Sequence, residues 1–305
     1  MHCGDDMKEK YMILCVAGQS NAVGYDESPV AANALTRFDR TRIAQLGLYG
    51  EDNLRVVPLG VCAQNLQDMR PYGHPSNPGV GTKGIHLPLA RLLLKEIPED
   101  YGILVIPCAY GGTGFTVGEF GAYDEASMRP ATGAWRWGVQ SNYYRCMRDR
   151  IAYALDLNPE NRFLGVVWCQ GEHDSGDPAG QKRGFEEMTE DFFRFFGANY
   201  PGRVYRGGWD RSVWYNVETV AYWYELEGCR TIWANYRRWS PETYVEIPRD
   251  TDSNEVNGTG ITARVRAQHF GNDAFERIVA PRVAQTMAKR LGSKQDGGEI
   301  GTKSS

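Results

Sequence analysis

Three short apolar runs limit what this chain can fold into: Tyr11–Ala17 (Tyr-Met-Ile-Leu-Cys-Val-Ala), Gly102–Cys108 (Gly-Ile-Leu-Val-Ile-Pro-Cys) and Phe163–Cys169 (Phe-Leu-Gly-Val-Val-Trp-Cys). Nearly continuous runs of that length, bounded by polar or glycine-rich turns, suit strands buried on both faces of a parallel sheet. Apolar residues at helical spacing lie between and beyond them, over 87–97, 143–157, 184–198 and 275–291. The second of these stops at Asn158-Pro159, as a helix should. The alternation predicts an α/β protein, a three-layer α/β/α sandwich around a central, mainly parallel sheet, with right-handed crossovers. A weaker run, Thr231–Tyr236, reads as a further strand.

In the 305 residues the folded domain is expected over 11–291, after a flexible N-terminal segment of residues 1–10 and before a polar, glycine-rich, disordered tail over 292–305. The seven cysteines have no paired metal spacing and no disulfide pattern. Cys15, Cys108 and Cys169 sit inside the apolar runs and read as small buried hydrophobes. A formal charge of −4 leaves no basic footprint, so neither nucleic acid nor a membrane surface is the expected partner. No run approaches the length of a membrane span, and no apolar signal region opens the chain. The expected location is the cytoplasm, or the periplasm or exterior if an export signal has been removed. Oligomeric state stays open. Eight tryptophans and seventeen tyrosines suit either a sugar-binding cleft or an aromatic core.

Ligands of parallel sheets bind at the carboxyl ends of the strands. The turns after the three runs therefore carry the functional reading. They are Gly18-Gln19-Ser20-Asn21-Ala22, Ala109-Tyr110-Gly111-Gly112-Thr113-Gly114 and Gln170-Gly171-Glu172-His173-Asp174. Alone, Ser20 reads as a helix cap, Gly111-Gly112 as a tight turn, and Glu172 and Asp174 as helix-start acids. Together they supply the parts of an esterase: a hydroxyl nucleophile, and oxyanion donors from the amides of Ser20 and of Gly111 or Gly112 and from the Gln170 carboxamide. The base is a histidine. His2 is terminal, His86 opens a helix, His74 lies in a loop suited to substrate contact, and His173 adjoins Glu172; His269, just before the last helix, is the candidate. No set of residues has zinc-ligand spacing, and neither a metal nor a cofactor is expected.

In these blocks, with His269-Phe270, the sequence resembles the SGNH-type hydrolases, in the branch of sialate O-acetylesterases and acetylxylan esterases. The likeness is greatest to bacterial N-acetyl-9-O-acetylneuraminate esterases, through Tyr72-Gly73-His74-Pro75, Trp135-Arg136-Trp137-Gly138 and 158–165. The resemblance implies a flavodoxin-like α/β/α fold, Ser20 as nucleophile, His269 as general base and an acetyl-Ser20 intermediate. It also implies oxyanion donors at Gly111 or Gly112 and at Gln170. The implied activity is removal of O-acetyl groups from sugars, above all the 9-O-acetyl of N-acetylneuraminic acid. The alternatives are another acetylated glycan, such as xylan or a surface polysaccharide, or a silent carbohydrate-binding protein. Many SGNH hydrolases carry an aspartate three residues before the histidine; here that residue is Arg266. Either Glu172 orients His269, or a backbone carbonyl near Ala267 does so and leaves a Ser-His dyad. For the substrate, Arg136 is the candidate carboxylate clamp, with Arg237 and Arg238 as rivals, and His74 and Trp137 are further contacts.

Overall fold

The structure is a computed structural model and describes residues 7–31, 34–72, 77, 79–254 and 267–292. His74, Arg266 and most of both terminal segments lie outside the described residues. The three apolar runs form the centre of one sheet: β1 (Tyr11–Gly18), with further strands β2 (Ile43–Leu46) and β3 (Val56–Pro58), then β4 (Gly102–Ala109). A small separate hairpin, β5 (Tyr123–Asp124) and β6 (Arg129–Pro130), precedes β7 (Arg162–Cys169), β8 (Trp214–Val217) and β9 (Tyr244–Val245). The order across the large sheet is β3-β2-β4-β1-β7-β8-β9, parallel throughout except for the edge pair β2–β3.

Every residue of β1 is buried, and period-two alternation divides its side chains between two cores. Met12, Leu14 and Val16 join the core under α1 (Ser20–Val23), α3 (His86–Leu93) and the final helix. Tyr11, Ile13, Cys15 and Ala17 join the core on the opposite face. That second core is packed by α4 (Asn142–Asp156), α5 (Pro178–Asn199) and α6 (Glu227–Trp239); α2 (Arg37–Arg42) lies before the β2 edge. Capping explains several starts. Ser141 accepts from the Tyr144 amide before α4, Asp177 from Gly180 before α5, and Thr36 and Asp39 form a reciprocal capping box at α2.

Thr231–Tyr236 is not a strand. It is the middle of α6, whose buried residues Cys229, Ile232, Trp233, Tyr236 and Trp239 recur at helical spacing and pack on the sheet. The helix over 87–97 stops earlier, at Leu93, with Leu94 as its C-cap. The last helical region divides into a π turn, Phe275–Val279, and α7 (Ala280–Leu291). Pro281, in the first turn of α7, has no amide hydrogen to give to Arg277, and the turn before it winds wider, with Ala280 bonding to the Phe275 carbonyl. Most of the aromatic excess is core. Phe185, Phe192 and Phe196 of α5 pack against Trp168, Trp209 and Trp214, with ring centres 4.7–6.3 Å apart.

Candidate active site

β1 lies between β4 and β7, so successive connections leave it toward opposite edges of the sheet, and a crevice opens at its carboxyl end. Gly18 ends the strand with φ +128°, and a Cβ there would stand 2.2 Å from the Cys169 carbonyl oxygen. Only glycine lets the chain turn this close to β7, where the Gln19 amide then donates to Cys169 O at 2.9 Å. The turn delivers Ser20 as the first residue of α1. The cap position belongs to Gln19, whose side chain makes no capping bond, so Ser20 is not there to close a helix.

Ser20 opens onto a cavity of about 290 Å³ lined by Tyr25, Gln67, Tyr110, Gly111, Gly112, Trp135, His173, Trp223, Gln268 and His269. Serine, both glycines and the candidate base thus share one space. His269 is half-buried and stacks on Tyr25, with ring centres 4.4 Å apart and 14° between planes. Burial, with a smaller effect from nearby His173, lowers its pKa to about 4, so the imidazole is neutral and able to accept a proton at pH 7.

Of the oxyanion candidates, the Gly111 amide already donates to Gln67 Oε1 at 2.8 Å. The amides of Ser20 and Gly112 have no backbone or side-chain acceptor among the described residues. Gly112 has φ +75°, and a Cβ there would lie 3.1 Å from the Trp135 ring, so this position too calls for glycine. Gln170 is brought to the strand end but not to the cavity. Its Nε2 donates to Asp174 Oδ2 at 2.7 Å and to the Thr113 carbonyl at 3.5 Å, while its Oε1 accepts from Tyr236 at 3.2 Å. Asp174 also accepts from the amides of Phe115 and Thr116 and from the Thr116 hydroxyl, which fixes the glycine turn after β4. Those bonds occupy both oxygens, and among the described residues no group of three or more His, Cys, Asp or Glu is arranged to hold a metal ion.

Glu172 is 1% exposed, and burial raises its pKa. Its Oε1 accepts from the Thr219 hydroxyl at 2.7 Å and from Asn21 Nδ2 at 3.2 Å, and its Oε2 has no partner among the described residues. Among the described residues no hydrogen bond joins Glu172, or a backbone carbonyl near Ala267, to the His269 ring. Instead the backbone around the base is held. Asn21 Oδ1 accepts from the Phe270 amide at 3.2 Å, Trp223 Nε1 donates to the Gln268 carbonyl at 3.0 Å, and the Asn254 amide donates to the His269 carbonyl at 3.1 Å.

The substrate candidates fare differently. Trp137 is fully buried, donates to the Thr113 hydroxyl at 3.0 Å and packs on Trp168; it is a core residue, because β4's turn closes over it. The cavity takes its neighbour Trp135, 52% exposed, in its place. Arg136 stacks over Phe120 beside a separate cavity, away from Ser20. Arg237 pairs with Glu218 and Glu246, and Arg238 bonds Asn235 on α6. The reading from sequence missed Tyr25, Gln67 and Trp223, and quoted Tyr110 in its turn without giving it a role, because loops and a 3-10 turn present them, with no periodicity to mark them. Asn21 stood in the quoted motif, but its bonds are all long-range.

The parallel α/β/α sandwich brings Ser20 and His269 to one crevice at its switch point, the arrangement that the resemblance to SGNH-type hydrolases implies. No family model matches the chain. It is 35% identical over 245 residues, 74% of this chain and 73% of the relative, to the probable 9-O-acetyl-N-acetylneuraminic acid deacetylase of Escherichia coli strain K12. The crystal structure of NanS matches with a TM-score of 0.82 at 29% identity, over 94% of this chain and 99% of that one. A protein from Arabidopsis thaliana shares the fold, with a TM-score of 0.56 at 14% identity over 92% of this chain and 99% of that one. The chain belongs to the family of the 9-O-acetyl-N-acetylneuraminic acid deacetylases.

Proposed function

We propose that the protein is a serine carbohydrate esterase that removes O-acetyl groups from sugars, with 9-O-acetyl-N-acetylneuraminic acid as its substrate. Family membership supports the substrate class. The observation that carries the mechanism is the shared cavity, in which Ser20, a neutral His269 and two unengaged amides converge. Neutral His269 takes the Ser20 Oγ proton as Oγ attacks the acetyl carbonyl carbon. The amides of Ser20 and Gly112 stabilise the oxyanion that forms. Collapse breaks the ester C–O bond; the imidazolium protonates the departing sugar oxygen, and acetyl-Ser20 remains. Water, deprotonated by His269, then attacks the acyl carbon; the Oγ–C bond breaks, the imidazolium returns the proton to Ser20 Oγ, and acetate leaves. Gln170 supports the oxyanion turn through Asp174, and Glu172 braces the site without touching the imidazole. Trp135, Trp223, Tyr25 and Tyr110 offer flat faces to a sugar ring.

One observation favours a neutral acetylated sugar instead: no lysine or arginine is among the described residues that line the cavity. Comparing kcat/KM on 9-O-acetylated sialic acid and on acetylated xylo-oligosaccharides separates the two readings. Preference for the sialic acid is expected, and preference for the xylo-oligosaccharide would refute the assignment. With p-nitrophenyl acetate, Ser20→Ala is expected to lose about 10³-fold or more in kcat. Equal rates for the two proteins would remove the serine mechanism.

A further inference from the structure

Asn21, the residue after the nucleophile, is 1% exposed and reaches three segments distant in sequence. Its Oδ1 accepts from the Phe270 amide at 3.2 Å, and its Nδ2 lies 3.4 Å from the Gln268 carbonyl oxygen. One carboxamide therefore engages the backbone groups on both sides of His269. The same Nδ2 faces Glu172 Oε1 at 3.2 Å and Thr219 Oγ1 at 3.3 Å, and Thr219 itself donates to Glu172.

We propose that Asn21 is the positioning residue for the base, locking the 268–270 backbone to the nucleophile turn, with buried Glu172 acting on His269 through Asn21 rather than on the imidazole. This rests on Ser20 and His269 being nucleophile and base. The chemistry calls for a carboxamide, because the site needs a donor and an acceptor on one planar group. Alanine supplies neither. Aspartate keeps the shape but sets a second carboxylate against Glu172 and the Gln268 carbonyl. Because Asn21 is covalently next to Ser20, a shift of the base backbone relative to Oγ is resisted by a single side chain, and small misplacements of a catalytic pair are costly.

The test uses the full chain and p-nitrophenyl acetate, with wild type, Ser20→Ala and Asn21→Ala measured together. Asn21→Ala is expected to lower kcat about 10–100-fold, with KM within about threefold, since the residue does not line the cavity. The acid limb of its kcat/KM profile is expected to move up from about 4 toward the ordinary histidine value of about 6.5, as a loosened base becomes solvated. A residue that only supported the fold would lower the melting temperature and leave that limb in place. Wild-type kcat and an unmoved acid limb in a folded variant would overturn the proposal. Asn21→Asp, of the same shape, is measured on the same two criteria if the alanine variant does not fold. An active Ser20→Ala would instead overturn the serine reading itself, so the two failures are distinguishable.

Discussion

At the residue scale, the question is what stands in for the missing orienting acid three residues before His269. Glu172 is nearby, but its Oε1 is engaged by Thr219 and Asn21. Glu172→Gln keeps an acceptor oxygen for both partners, and its kcat is expected to stay within about tenfold of wild type. A direct triad acid would instead give a fall of about 10⁴-fold, the size of loss seen when a triad aspartate becomes an amide. Steady-state kinetics on folded protein decide between them. The identities of Ser20 and His269 as candidates were legible from residue type and place, one after a buried strand and one before the last helix. The bonds of Asn21, Thr219 and Glu172 were not, since their partners lie 47 to 249 residues apart.

Elements follow the same division. The three central strands were legible because burial on both faces leaves no polar residue inside them, a pattern few other local structures tolerate. Thr231–Tyr236 misled because its apolar residues, taken over six positions, do not reveal the wider helical period of α6. Trp137 misled for a related reason: three successive residues, Trp135, Arg136 and Trp137, point to the cavity, a second pocket and the core in turn. The junction of β1, α1 and β7 depends on Gly18. Gly18→Ala must hold φ +128° and place a methyl group 2.2 Å from a carbonyl oxygen. It is expected to destabilise the protein by about 3 kcal/mol or more, read by denaturant unfolding. An unchanged midpoint would show that the turn can relax.

For the whole molecule, acid stability offers a check on how dry the core is. His86, 1% exposed, has neither ring nitrogen partnered among the described residues, and burial lowers its pKa to about 3. The unfolded chain binds this proton near pH 6.5 and the folded chain only near 3. Between those values the unfolded state holds more protons, so this contribution is full above about 6.5 and is lost as pH falls toward 3. His269, also lowered, acts with the same sign; Glu172 and Asp26, raised by burial, act with the opposite one. His86→Leu is therefore expected to shrink the loss of unfolding free energy between pH 7 and 4 by about 2–3 kcal/mol. An equal loss in both proteins would mean that His86 is solvated in the folded state.

The central claim concerns a covalent bond at the end of β1. Brief exposure to 9-O-acetylated sialic acid, acid quenching and peptide mass spectrometry test it most directly. The account predicts one acetyl group on Ser20, released as acetate on longer incubation and absent from Ser20→Ala. Deacetylated sugar formed at full rate with Ser20 never acetylated, or by Ser20→Ala at the wild-type rate, would contradict it.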